Sequence, residues 1–125
     1  MLEDSALRKQ DFINLFKKIA SLPYNKYCNM KTLLIKTIMS PAPGYYITYE
    51  YARRLLRLFR RNLLPKSYNP LRYMMIAEIA QRVDAIKQSP AAHAEGRALA
   101  RVLAQGNASR FFISLPTAMR LIHNS

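Results

Sequence analysis

A chain of 125 residues, half of them hydrophobic, has the size and apolar content for one compact domain. Twenty Lys and Arg against seven Asp and Glu set a formal charge of +13, which repels itself at low salt unless an anionic partner neutralises it. The single cysteine, Cys28, excludes an intramolecular disulfide and a Cys-based zinc site.

Glycine is scarce and apolar residues recur at helical spacing, so the expected class is all-α, with five or six short helices. Met1-Leu2-Glu3-Asp4 is not the basic opening of a secretory signal. Asp4 or Ser5 caps a first helix reaching about Ala20, with Phe12, Leu15, Phe16 and Ile19 on one face, and Pro23 stops it. A short second helix covers Met30 to Met39. The apolar run from Thr32 to Met39 is broken by Lys36 and is far too short to span a bilayer. A soluble cytoplasmic protein without a membrane partner is expected, or a virion component if the chain is phage-derived.

Pro41 and Pro43 exclude helix, and Tyr45-Tyr46-Ile47 has strong β preference. Thr48 then caps a third helix running to about Leu63, with Ala52, Leu55, Leu56, Phe59 and Leu63 as its apolar stripe. Pro65 and Pro70 bracket a linker. A fourth helix follows to about Gln88, burying Met75, Ile76, Ile79, Val83 and Ile86, and Ser89-Pro90 closes it. The fifth helix carries Leu99, Val102 and Leu103 and stops at Gly106-Asn107. Phe111-Phe112-Ile113 is a second extended tripeptide, and Ser114 caps a last helix with Pro116 in its first turn.

Ala42–Leu56 and Ala108–Ile122 align without a gap, 66 residues apart. Both read Ala, two aromatics, Ile, a hydroxyl residue, then Ala, Arg, Leu and an aliphatic. The chain is therefore expected to be one helical domain over 1–125 with pseudo-repeats at about 30–63 and 96–123. The two tripeptides are candidates to pair as a minimal two-stranded β ladder, because buried backbone groups need partners. In each aromatic pair an extended backbone sends one ring inward and the other outward. Tyr46 and Phe112 are the expected inner rings, Tyr45 and Phe111 the outer ones. The outer rings serve either as helix-corner packing or as a stacking surface for bases.

The third helix is the strongest functional signal. Turning its apolar stripe inward leaves Arg53, Arg54, Arg57, Arg60 and Arg61 on the opposite face, with no carboxylate among them. A solvated face normally mixes in Glu for i,i+4 pairs. Guanidinium forks bind phosphate bidentately and stack on bases. Lys66, Arg72, Arg82, Arg110 and the ring of Tyr45 extend the candidate nucleic-acid site, with Arg97 and Arg101 next in line. DNA and RNA are equally compatible partners. An acidic protein or nucleoprotein partner, or a homo-oligomer using the basic face as an adaptor, is the alternative.

The segment from Tyr46 to Leu56, with its hydroxyl cap, Glu50, Ala52 and Leu55-Leu56, resembles the opening helix of excisionase-type and MerR-type helix-turn-helix proteins. Those proteins continue with a tight turn and a recognition helix. This chain continues with Arg57-Leu58-Phe59-Arg60-Arg61, so the resemblance stops short of a winged helix. The motif Pro41-Ala42-Pro43-Gly44-Tyr45-Tyr46 resembles small uncharacterised basic proteins of Bacteroidetes and their mobile elements. An accessory factor of a phage or other mobile element is the setting expected for such a nucleic-acid-binding protein.

Catalytic and metal constellations are not expected. His93-Ala94-Glu95 imitates the His-x-Glu of zinc deaminases, but no Pro-Cys-x-x-Cys follows. Three scattered glycines form no phosphate loop, and Cys28 has no obvious base beside it. The chain reads as non-enzymatic, with no cofactor.

Overall fold

A computed structural model describes residues 5–67, 69–88 and 94–124. The expected cap at Asp4, the Ser89-Pro90 stop and His93 lie outside these residues. Among the described residues there are six α-helices: α1 (Ser5–Ala20), α2 (Met30–Ile38), α3 (Tyr49–Arg60), α4 (Pro70–Lys87), α5 (Glu95–Gln105) and α6 (Leu115–His123). A 3-10 turn over Pro23–Asn25 separates α1 from α2. The all-α expectation holds.

The caps explain why the helices start where they do. The Oγ1 of Thr48 accepts from the N–H of Tyr51 at 3.2 Å, and the Oγ of Ser114 accepts from the N–H of Thr117 at 3.3 Å. Asn29 and Asn69 do the same for α2 and α4. Each removes one unsatisfied donor from a helix N-terminus, worth about 1 kcal/mol. The end of α3 differs from expectation. Asn62 takes a left-handed φ of 56°, and the Leu63 N–H then donates to the Leu58 carbonyl at 2.9 Å. The helix therefore closes at Arg60, and Leu63, expected in its apolar stripe, is 60 % exposed.

The described residues cluster into two compact units. One holds α3, α4 and α5 within Ile47–Gly106. Its core is Ala52, Leu55 and Leu56 of α3 against Ile76, Ile79 and Val83 of α4 and Leu99 and Val102 of α5. The other draws on 5–46 and 107–124 and holds α1, α2 and α6. Phe12, Leu34, Ile38, Phe111, Ile113 and Ala118 are its buried centre.

The 66-residue offset extends further than the sequence motif suggests. It carries α1, α2 and α3 onto α4, α5 and α6 in order. The chain is thus two three-helix repeats, yet neither repeat is a unit. The third helix of each packs on the first two helices of the other: α6 on α1 and α2, and α3 on α4 and α5.

In the unit of α1, α2 and α6, backbone pairing is present but displaced from the tripeptides. The antiparallel bridge joins Ala42 and Ala108, with the Ala42 N–H donating to the Ala108 carbonyl at 2.9 Å. Asn107 N–H donates to Pro43, and Phe111 N–H donates to Ile38 at 2.9 Å. Both paired alanines are buried, so the bridge supplies partners for backbone groups that water cannot reach. Ring alternation occurs, but with the opposite phase to that expected. Tyr45 and Phe111 are buried, at 6 % and 1 % exposure, while Tyr46 and Phe112 are half-buried. Tyr46 stands at a left-handed φ of 60°, uncommon for a bulky residue, so the first tripeptide is not a regular extended segment. Its hydroxyl donates to Asp11 at 2.8 Å. Burial, and then the adjacent carboxylate, push that phenol well above its ordinary range.

Candidate nucleic-acid interface

The apolar stripe of α3 faces α4 and α5, so its guanidiniums emerge along the exposed side of that unit. Arg53, Arg54, Arg57 and Arg61 are all exposed. The positions of Arg57 and Arg60 in the last turn, next to the capping Arg61, suit the negative end of the helix dipole. Arg54 lies over the Tyr51 ring, 5.6 Å from its centroid. A cleft of about 580 Å³ opens beside them. Arg53, Arg57 and Arg60 line it from α3 and Arg61 from the cap that follows, Lys87 and Asp84 from α4, and Glu95 from α5. Five basic and two acidic side chains leave a formal excess of three positive charges there. Gly96 lines the same cleft, and a Cβ at that position would stand 2.8 Å from the Tyr49 hydroxyl.

Arg60 departs from the expected free face. Its Nη2 and Nη1 grip Asp84 Oδ1 and Oδ2 at 2.7 and 3.2 Å, and its Nε donates to Glu95 Oε1 at 2.9 Å. The carboxylates come from α4 and α5, 24 and 35 residues away, so inspection of α3 alone could not reveal them. The Arg60 hydrogen bonds hold the Asp84 carboxyl below its ordinary range, against a smaller opposing effect of burial. They likewise raise Arg60.

A depressed folded-state pKa gives a contribution present above the unfolded value, about 3.9 for Asp, and lost as pH falls through the folded one. The Asp84 side chain is 45 % exposed, so the effect on stability is small, but the titration itself is measurable. Arg60→Gln is expected to move the Asp84 carboxyl titration, followed by carbon NMR, back up toward the ordinary value. An unmoved titration would mean that the ion pair is not formed in solution.

The other expected site residues are dispersed. The ammonium of Lys66 sits 5.6 Å from the Tyr73 ring centroid. Arg72 is half-buried, its Nη1 donating to the Tyr51 hydroxyl at 3.3 Å. Arg82 reaches the Gly106 carbonyl at 3.2 Å and pairs with Glu78. Arg97 and Arg101 are exposed on α5. Arg110 and Tyr45 belong to the other unit. Arg110 Nε donates to the Phe111 carbonyl at 3.2 Å, and its guanidinium lies 5.8 Å from the Phe112 centroid. Tyr45 cannot offer a face to a base, because it is buried and stacked with Phe112 at 6.3 Å. Among the described residues no three His, Cys, Asp or Glu side chains gather as metal ligands, and no helix is long and apolar enough to cross a membrane.

No protein-family model, curated protein or solved structure matches the chain.

Proposed function

We propose that this protein binds nucleic acid without catalysing a reaction on it, through phosphate contacts from α3. The observation that carries this reading is the exposed row Arg53, Arg57 and Arg61 beside a cleft with excess positive charge. Each planar fork can take two phosphate oxygens, and neutralised phosphates release counterions. Such contacts position a strand without reading its sequence, and they serve DNA and RNA backbones alike. As biological setting we propose an accessory factor of a phage or other mobile element, on the strength of the Pro41–Tyr46 resemblance.

The capture of Asp84 and Glu95 by Arg60 favours a second reading, in which the same face takes carboxylates of an acidic protein partner. Salt separates the two. For duplex binding by the first mechanism, log Kobs should fall linearly with log[salt], with a slope of about −0.9 per phosphate contact. Three arginines alone set a slope of about −2.7. A flat dependence, or no affinity for nucleic acid at low salt, would leave the acidic-partner reading in its place.

A further inference from the structure

In the unit of α1, α2 and α6, the connection between the first two helices carries two tyrosines that the core does not use. Tyr24, in the 3-10 turn, is 76 % exposed, and Tyr27, just after it, is 92 % exposed. An aromatic ring left in water forgoes a large burial gain, and elsewhere in this unit Phe12, Tyr45 and Phe111 take that gain. We infer that this turn is a stacking platform for unpaired bases, so that the strand bound here is single-stranded nucleic acid.

The turn is held before any ligand arrives. Asn25, between the two rings, is 2 % exposed, and its Nδ2 donates to the Ile19 carbonyl at 2.8 Å. Its Oδ1 accepts from the Cys28 thiol at 3.6 Å and from the Lys36 ammonium. Backbone bonds from Asn25 to Leu22 at 2.9 Å and from Cys28 to Asn25 at 3.0 Å close the loop. Little ordering is left to oppose binding, and preorganisation of that kind strengthens affinity.

Each ring also has its own cation. Lys36 Nζ lies 5.8 Å from the Tyr24 centroid, and Lys26 Nζ lies 5.6 Å from the Tyr27 centroid. Between Asp11 and Glu50 the chain carries five lysines and no carboxylate. Each nucleotide pairs a stackable base with one phosphate, and the turn offers a ring with an ammonium twice over. An acidic peptide would use the ammonium groups but leave two exposed rings without a purpose. A duplex keeps its base faces closed by stacking, out of reach of a tyrosine. Unpaired bases use both features, and stacking on them tolerates any sequence.

The inference rests on the nucleic-acid reading only for the class of partner; its residues lie in the other unit. The test is fluorescence anisotropy with a labelled single-stranded pyrimidine oligonucleotide, as DNA and as RNA, and with the matching duplex. Tyr24→Leu combined with Tyr27→Leu should weaken single-strand binding by about five- to hundredfold per ring, leaving duplex affinity and the single-strand salt slope unchanged. Tyr24→Phe with Tyr27→Phe should bind as the native protein does, because the π face is kept. Both pairs should melt like the native protein, since the rings are exposed. Native single-strand affinity in the Leu variant overturns the proposal, as does an equal loss on duplex. So does a Leu variant that releases phosphatidylserine vesicles while keeping the oligonucleotide, which would make the turn a lipid contact. Failure of the α3 reading looks different: arginine substitutions on α3 would then change nothing while the tyrosine variant still loses single strands.

Discussion

Phe111→Ala is expected to be the most destabilising single substitution in the unit of α1, α2 and α6, costing about 3–5 kcal/mol. The ring is 1 % exposed and meets Phe12 edge-on, with centroids 5.2 Å apart and planes at 87°. On another side it stacks with Tyr46 at 6.1 Å. Truncation removes both aromatic contacts and leaves a cavity beside Phe12, while the segment around Phe111 is held by backbone bonds to Ile38, Ala42 and Pro43 and cannot readily collapse. Phe112→Ala is the matched control. That ring is half-buried, so its loss should cost clearly less. Denaturant midpoints with unchanged m-values would give the comparison. Equal costs would return the two rings to interchangeable corner packing and contradict the observed phase of burial.

That phase shows where sequence reasoning ends. Caps were legible because a hydroxyl before an apolar periodic run has a local mechanism, and Thr48 and Ser114 both act as expected. The stop at Gly106 was legible for the same reason. Which of two adjacent rings points inward is decided by contacts far along the chain, here Phe12 against Phe111, and by a left-handed Tyr46 that β preference argues against. Asn62 carried a readable signal, since asparagine tolerates that conformation, but the leucine after it completed an apolar stripe and obscured the stop. The exchange of third helices was not legible either. An apolar stripe says that a helix buries a face, not against which neighbour. Tyr24 and Tyr27 flank Lys26 in a stretch without carboxylates, a readable pattern, but sequence alone does not tell an exposed ring from a buried one.

Replacing Arg53, Arg57 and Arg61 together by Gln should flatten the salt dependence of duplex binding by about 2.7 in slope, three contacts at about 0.9 each. Across a fourfold rise in salt, that slope corresponds to about a fortyfold difference in how much affinity is lost. Glutamine keeps the helix propensity of arginine, and all three side chains are exposed, so circular dichroism should show an intact helical protein. Arg60 gives the contrasting case. Asp84 and Glu95 already occupy its fork, so it is not free for a phosphate as the unit stands. Asp84→Asn with Glu95→Gln would free that guanidinium and remove two like charges facing an incoming phosphate. Binding should then tighten and the slope steepen by about 0.9, the opposite sign to the arginine variant. Opposed shifts from the two variants would locate the phosphate contacts on this face of α3. If the arginine variant keeps the native slope while still helical, the contacts lie elsewhere, and Arg97 and Arg101 on the exposed side of α5 become the residues to replace.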